Sequence, residues 1–219
     1  DMDQYLTDNL VERRNTRIVT RSGSTSSLVS LKKVAAERAK SVIVLASCDQ
    51  SATRADKLSS DAIVIKTVLA LTTSAQSNDE VNIVAEVFEA RNRAIVKNIA
   101  VDQVSVVDTQ EILAKIMVQT SRTSGLSVVY SELLSFDGCE LYFYQSDWEG
   151  IAFGDLQFHF EDGVPIGVRS SDGTLALRAP SDYVMRADDE VLIVADDDST
   201  ISFLKSPTMR PETMVLGSE

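Results

Sequence analysis

Apolar positions along the chain recur with two periods, and each change of period marks off an element. Over residues 2–14, Tyr5, Leu6, Leu10 and Val11 fall on one side with polar residues opposite, which predicts a surface helix. Arg17-Ile18-Val19-Thr20 is a short β-type run that stops at Ser22-Gly23-Ser24. Leu28, Leu31, Val34 and Ala35 then mark a helix, so the order is strand, glycine turn, helix. Ser41-Val42-Ile43-Val44-Leu45-Ala46 is a continuous apolar run, the pattern of a parallel strand covered on both faces. Over residues 52–73, Leu58, Ala62, Ile65 and Leu69 form one row that Val64, Val68 and Leu71 widen, which predicts a long helix buried on two sides. A strand over Glu80 to Glu86, a short helix over Arg91 to Ile99 and a strand over Val104 to Val107 follow. Strands that alternate with helices in this way predict a doubly wound, mostly parallel sheet.

The rhythm changes after residue 108. Ile112, Leu113, Ile116 and Met117 define a helix, Thr123-Ser124-Gly125 a turn, and Val128, Val129, Leu133 and Leu134 a second helix. From Cys139 the signals are β: Leu141 to Tyr144, Val164 to Val168, a turn at Ser171-Asp172-Gly173, Leu175 to Leu177, and Val191 to Val194. The expected fold class is therefore α/β, with a Rossmann-like mostly parallel sheet over 1–108, a helix-turn-helix connector over 109–136 and a small β-rich C-terminal lobe over 137–205. Residues 206–219 carry Pro207 and Pro211 without a period and read as a linker. The chain opens inside a helix with no strand before it, so a first βαβ unit is expected to be missing.

A formal charge of −12 disfavours nucleic acid and anionic membranes, both of which select clustered Lys and Arg. The basic stretches Glu12-Arg13-Arg14 and Arg91-Asn92-Arg93 are short, and read as solvated helix faces. No run approaches the ~18 apolar residues that span a bilayer, so no membrane insertion is expected from this segment. Cys48 and Cys139 lie far apart, which fits a reducing, cytoplasmic setting without disulfides. The single histidine, His159, stands in Phe158-His159-Phe160. Strand alternation would leave it exposed or at a lobe interface, without a nucleophile to serve, and zinc would need more His and Cys than the chain has. Asp196-Asp197-Asp198 and Asp188-Asp189-Glu190 lack the alternating spacing of a calcium loop and read as solvated turns. Trp148 reads as a packing residue of its lobe, and Met117 and Met185 as core or interface filler. No catalytic set emerges, so the chain reads as a non-enzyme.

Ligands of open parallel sheets bind at the carboxyl ends of the strands. The candidate ligand-binding residues are then Gly23 and Ser24 at the glycine turn, Ser47, Cys48 and Asp49 after the apolar strand, and Glu86. All are expected to converge at one edge. The dinucleotide fingerprint Gly-x-Gly-x-x-Gly is absent.

Arg21-Ser22-Gly23-Ser24, Leu31-Lys32-Lys33-Val34, Ala39 to Ser47, Ser60-Asp61-Ala62, Val84-Ala85-Glu86, Tyr183 to Arg186 and Asp189 to Ala195 together resemble the regulator-of-conductance (RCK) domain of Castor and Pollux type ion channels over roughly residues 15 to 200. The resemblance implies a Rossmann-like lobe lacking its first βαβ unit and a C-terminal lobe like that of bacterial potassium-uptake regulators. It also implies a connector that pairs subunits, with Ile112, Leu113, Ile116, Met117, Val129 and Leu133 as interface residues of a homo-oligomeric cytosolic gating ring. The pore domain would lie on the same or a partner polypeptide. Where the wider family has Gly-Asp-Ala-Thr, this chain has Gly23-Ser24-Thr25-Ser26, so the acid that contacts adenine is absent. NAD or another nucleotide is thereby disfavoured as effector against calcium, sodium or potassium. The competing readings are a regulatory subunit of a separate potassium transporter and, more remotely, a dinucleotide-dependent enzyme.

Overall fold

The computed structural model describes residues 2–10, 15–74, 81–99, 103–135 and 138–207. The chain divides into two compact units, Asp1–Lys115 and Ile116–Glu219.

The first unit carries helices α1 (Met2–Asn9), α2 (Leu28–Lys33), α3 (Arg54–Ser74) and α4 (Ala90–Ile99) and strands β1 (Ser41–Val44), β2 (Asn82–Glu86) and β3 (Val104–Val107). The strands form a parallel sheet in the order β1-β2-β3. Its register aligns Val42 with Ile83 and Ile83 with Val104, so these residues share one face. On that face Val44, Ile83, Ala85 and Val104 pack with Val64, Val68 and Leu71 of α3 and Val96 of α4.

Three expectations change here. The run Arg17–Thr20 is irregular chain outside the sheet. Its β-branched residues favour extended backbone, but a strand also needs a neighbour to complete its hydrogen bonds, and none of the three strands pairs with it. Coverage of the sheet on both faces is not found among the described residues: Ile43 is 69% and Leu45 71% exposed on the face opposite α3 and α4. The buried residues of α3 are Ser60, Asp61, Val64, Thr67, Val68, Ala70 and Leu71, whereas Leu58 and Leu69 are exposed. Polar residues enter the buried row because each has a partner, which an apolar pattern cannot register. The expected first helix is found over Met2–Asn9; residues 11–14, with the basic stretch Glu12-Arg13-Arg14, lie outside the described residues.

Helix α5 (Thr109–Arg122) runs across the boundary, and the second unit continues with α6 (Leu126–Leu133), β4 (Glu140–Tyr144), α7 (Phe153–Leu156), β5 (Val164–Arg169), β6 (Leu175–Leu177) and β7 (Glu190–Ala195). Its antiparallel sheet has the order β4-β7-β5-β6. Central β7 buries Val191, Ile193 and Ala195 against Trp148, Leu156, Phe160 and Met185, and the Trp148 indole donates to Asp189 O at 3.2 Å. Gly163 turns into β5 at φ +97°, where a Cβ would stand 2.7 Å from Ile193 Cγ2.

Two polar residues sit deeper than expected. His159 is buried; it lies in the turn after α7 rather than in a strand, so strand alternation does not govern it. Its ring stacks on Phe203, with centroids 5.3 Å apart, and Nδ1 meets Leu204 O at 2.7 Å. Asp189, expected in a solvated turn, is buried and accepts hydrogen bonds from the Tyr183 hydroxyl at 2.8 Å and Arg186 N at 3.0 Å. Asp196, Asp197 and Asp198 are exposed. Of the expected linker, residues 208–219 lie outside the described residues.

Candidate functional site

Parallel strands bring their carboxyl ends to one edge, and Glu86, the last residue of β2, gathers the groups there. Its carboxylate accepts from Ala46 N at 3.1 Å, from the Thr109 hydroxyl at 2.7 Å and from Gln50 Nε2 at 3.5 Å. One side chain thus ties the segment after β1 to the first residue of α5. Ser47 N donates to Ser60 Oγ of α3 at 2.8 Å, which anchors the same segment to the helix below. The Gln50 Oε1 atom is buried without a hydrogen-bond partner, an acceptor that a donor from a ligand or water would satisfy.

Beside this knot lies an open hollow of about 400 Å³ lined by Ser47, Cys48, Asp49, Ser51, Asp56 and Ser59, among others. The Asp56 carboxylate receives the Thr53 hydroxyl at 2.6 Å, closing the first turn of α3. Asp49 and Asp56 make the hollow acidic, and its hydroxyls supply both donors and acceptors. Such a lining suits a cationic or hydroxyl-bearing ligand better than a phosphate. Among the described residues, no three His, Cys, Asp or Glu side chains come together as a metal site.

Gly23 and Ser24 do not join this group. They line a separate hollow of about 110 Å³ with Arg21, Ser30, Lys33 and Val34. Thr25 is bonded to Thr67 Oγ1 at 2.8 Å, two turns along α3 from Ser60. The strand-end residues Ser47, Cys48, Asp49 and Glu86 therefore come together, and the glycine turn, having no strand before it, stands elsewhere.

The expected interface residues lie on α5 and α6, neither of which has a buried residue. Ile112, Leu113, Met117 and Val129 are exposed, and Ile116 and Leu133 half-buried. Helix α5 is capped where it leaves the sheet: Glu111 N donates to Asp108 Oδ1 at 3.1 Å, and Arg93 pairs with Asp108 at 2.9 Å.

Two groups escaped the sequence reading. Asp61 is fully buried and accepts from Phe88 N, Glu89 N and Asn92 Nδ2 at 2.8–3.0 Å; an acid inside the apolar face of a long helix was the available signal. Thr109 carried none. In the second unit, the Cys139 thiol donates to Asp196 Oδ1 at 3.2 Å. That bond, with some burial and the negative charge, holds its pKa above the ordinary value and keeps the group a thiol rather than a nucleophilic thiolate.

A parallel α/β unit followed by a separate antiparallel β unit is the RCK-type fold, and the structure superposes on that of the human SLO3 gating ring with a TM-score of 0.61 over 82% of this chain and 37% of that one, at 15% identity. Residues 110–210 match the family described as Castor and Pollux, part of voltage-gated ion channel. The chain is 34% identical over 209 residues to the probable ion channel CASTOR of Oryza sativa subsp. japonica, covering 92% of this chain and 22% of that protein. It is 33% identical over 218 residues to the ion channel POLLUX of Lotus japonicus, covering 97% and 22%. Residues 110–210 thus carry the Castor and Pollux family region; both relatives are ion channels rather than enzymes, and the chain spans about a fifth of their length. Among the described residues no helix is long and apolar enough to cross a membrane.

Proposed function

We propose that this chain is the gating-ring segment of a Castor/Pollux-like cation channel, on the cytoplasmic side, which senses an effector and passes the signal to a pore through rearrangement of its copies. The carrying observation is the Glu86 carboxylate, which holds both the segment lining the acidic hollow and the first residue of α5. An effector that moves Ser47–Gln50 changes the hydrogen bonds that fix the start of α5. The apolar residues of α5 and α6, led by Val128 at 69% and Met117 at 67% exposure, then carry the movement to a second copy. Exposed apolar helices of this extent favour burial against a partner. The charge of the hollow favours a cation such as calcium over NAD or another nucleotide, with water or a second copy completing its ligands.

Sedimentation of the chain, with and without calcium chloride or NAD, tests the reading. The expected results are a dimer or larger assembly, a smaller assembly for the Met117→Glu/Val129→Glu variant, and a shift in assembly with calcium but not with NAD. A chain that stays strictly monomeric at tens of micromolar, unmoved by either ligand, would overturn it.

A further inference from the structure

The outer edge of the second unit's sheet is short, apolar and exposed. Strand β6 lies at the end of the order β4-β7-β5-β6, and Leu175, Ala176 and Leu177 are all exposed, Leu177 to 63%. Edge strands are ordinarily blunted by shortness, by Lys or Pro, by a bulge or by a covering element; this one is short, at 3 residues, but its sequence is Leu-Ala-Leu. Ser170 N bonds to Thr174 O and Arg178 N to Ile166 O, while Val168 pairs with Ala176. Residues 174, 176 and 178 therefore direct their backbone groups toward β5. By the alternation of an antiparallel ladder, the N–H and C=O groups of Leu175 and Leu177 point to the open edge.

We propose that β6 pairs antiparallel with β6 of a second copy about a two-fold axis through Ala176, joining the two sheets into one. The segment reads the same in both directions, so Leu175 of one copy falls opposite Leu177 of the other. The outward N–H and C=O groups of both then exchange hydrogen bonds, as an isologous contact requires. Leu141, Phe143 and Val164, exposed on the same face of the sheet, continue the apolar surface away from the axis. A partner strand from an unrelated protein would not need the palindrome. This contact does not depend on the connector; if both operate, each copy has two different neighbours.

A symmetry axis through a residue brings that residue next to its own copy. The Cα atoms of such a non-hydrogen-bonded pair lie about 4.5 Å apart, within the range a disulfide spans. Ala176→Cys, made in a Cys48→Ser/Cys139→Ser background, is expected to form a covalent dimer when copper–phenanthroline oxidises the paired thiols. It should do so on the order of tenfold faster than Ser171→Cys in the same background, which can link only through random encounters. The Met117→Glu/Val129→Glu substitutions should leave this cross-link intact. Leu175→Lys/Leu177→Lys, checked for native circular dichroism, should abolish it and reduce the assembly measured by sedimentation. Equal cross-linking rates for Ala176→Cys and Ser171→Cys, or an assembly unchanged by the lysine pair, would overturn the β6 pairing. Loss of the cross-link in the connector variant would do the same, whereas a connector variant whose assembly is no smaller than the parent's, with the cross-link present, argues against the connector alone.

Discussion

Single buried carboxylates anchor each unit. Asp61 reaches from α3 to the amides of Phe88 and Glu89 just before α4, where a negative charge is favoured by the unpaired N–H groups and the helix dipole. Asp61→Ala leaves two backbone donors and an amide without their acceptor and is expected to cost about 2–4 kcal/mol, with Asp61→Asn costing less; urea unfolding followed by circular dichroism measures both. A loss below about 0.5 kcal/mol, within the range of ordinary surface substitutions, would show that the cap is dispensable. Asp189 plays the matching part in the second unit, where its hydrogen bond with the Tyr183 hydroxyl, aided by burial, raises the phenol's pKa above its ordinary value of 10.0. The protonated phenol is the bonded form. Its contribution is therefore complete below the unfolded-state value and lost as pH rises through the folded one. Stability of the second unit, read from the fluorescence of Trp148, is expected to fall at alkaline pH, and Tyr183→Phe to flatten that fall. An unchanged alkaline slope in the variant would assign the fall to other groups, Tyr142 first, whose pKa is raised chiefly by burial.

At the level of elements, the knot around Glu86 links the end of β2 to the segment after β1 and to α5. Glu86→Ala removes an acceptor shared by a backbone amide and a threonine hydroxyl and is expected to cost about 2 kcal/mol, with faster hydrogen exchange at Ala46 and in the first turn of α5. If exchange in α5 stays at its original rate, the knot does not transmit between the two. The helices α2 to α6 and the strands β1 to β7 follow closely from periodicity. The failed strand at Arg17–Thr20 shows the limit, because its composition is β-like while its partner is a question of tertiary pairing. Ser47, Cys48, Asp49 and Glu86 were legible as a group because a parallel sheet brings its strand ends together. Gly23 was not, because its place depended on that absent strand. Asp61 and Ser60 were hidden by the assumption that polar positions on a helix face solvent.

For the whole molecule, a net charge of −12 sets copies against each other while exposed apolar surfaces on α5, α6 and β6 draw them together. Salt shortens the reach of charge from about 30 Å at 0.01 M to about 8 Å at 0.15 M and leaves apolar burial in place. Self-association is therefore expected to tighten as salt rises over that range, as sedimentation velocity would record. Weakening with salt would mean that ion pairs rather than apolar contacts hold the assembly.

The order of strands and helices, the switch from an alternating α/β region to a β-rich one, and the lack of a recognisable catalytic motif follow from the sequence alone, since periodicity and residue chemistry are local properties. Only the tertiary structure decided that one face of the parallel sheet carries α3 and α4 while Ile43 and Leu45 stand exposed on the other. It likewise placed Asp61, His159 and Asp189 inside and left the Leu-Ala-Leu edge of β6 open. The reason is common to all of these: burial and pairing belong to the neighbours a residue acquires on folding, and those neighbours come from distant parts of the chain.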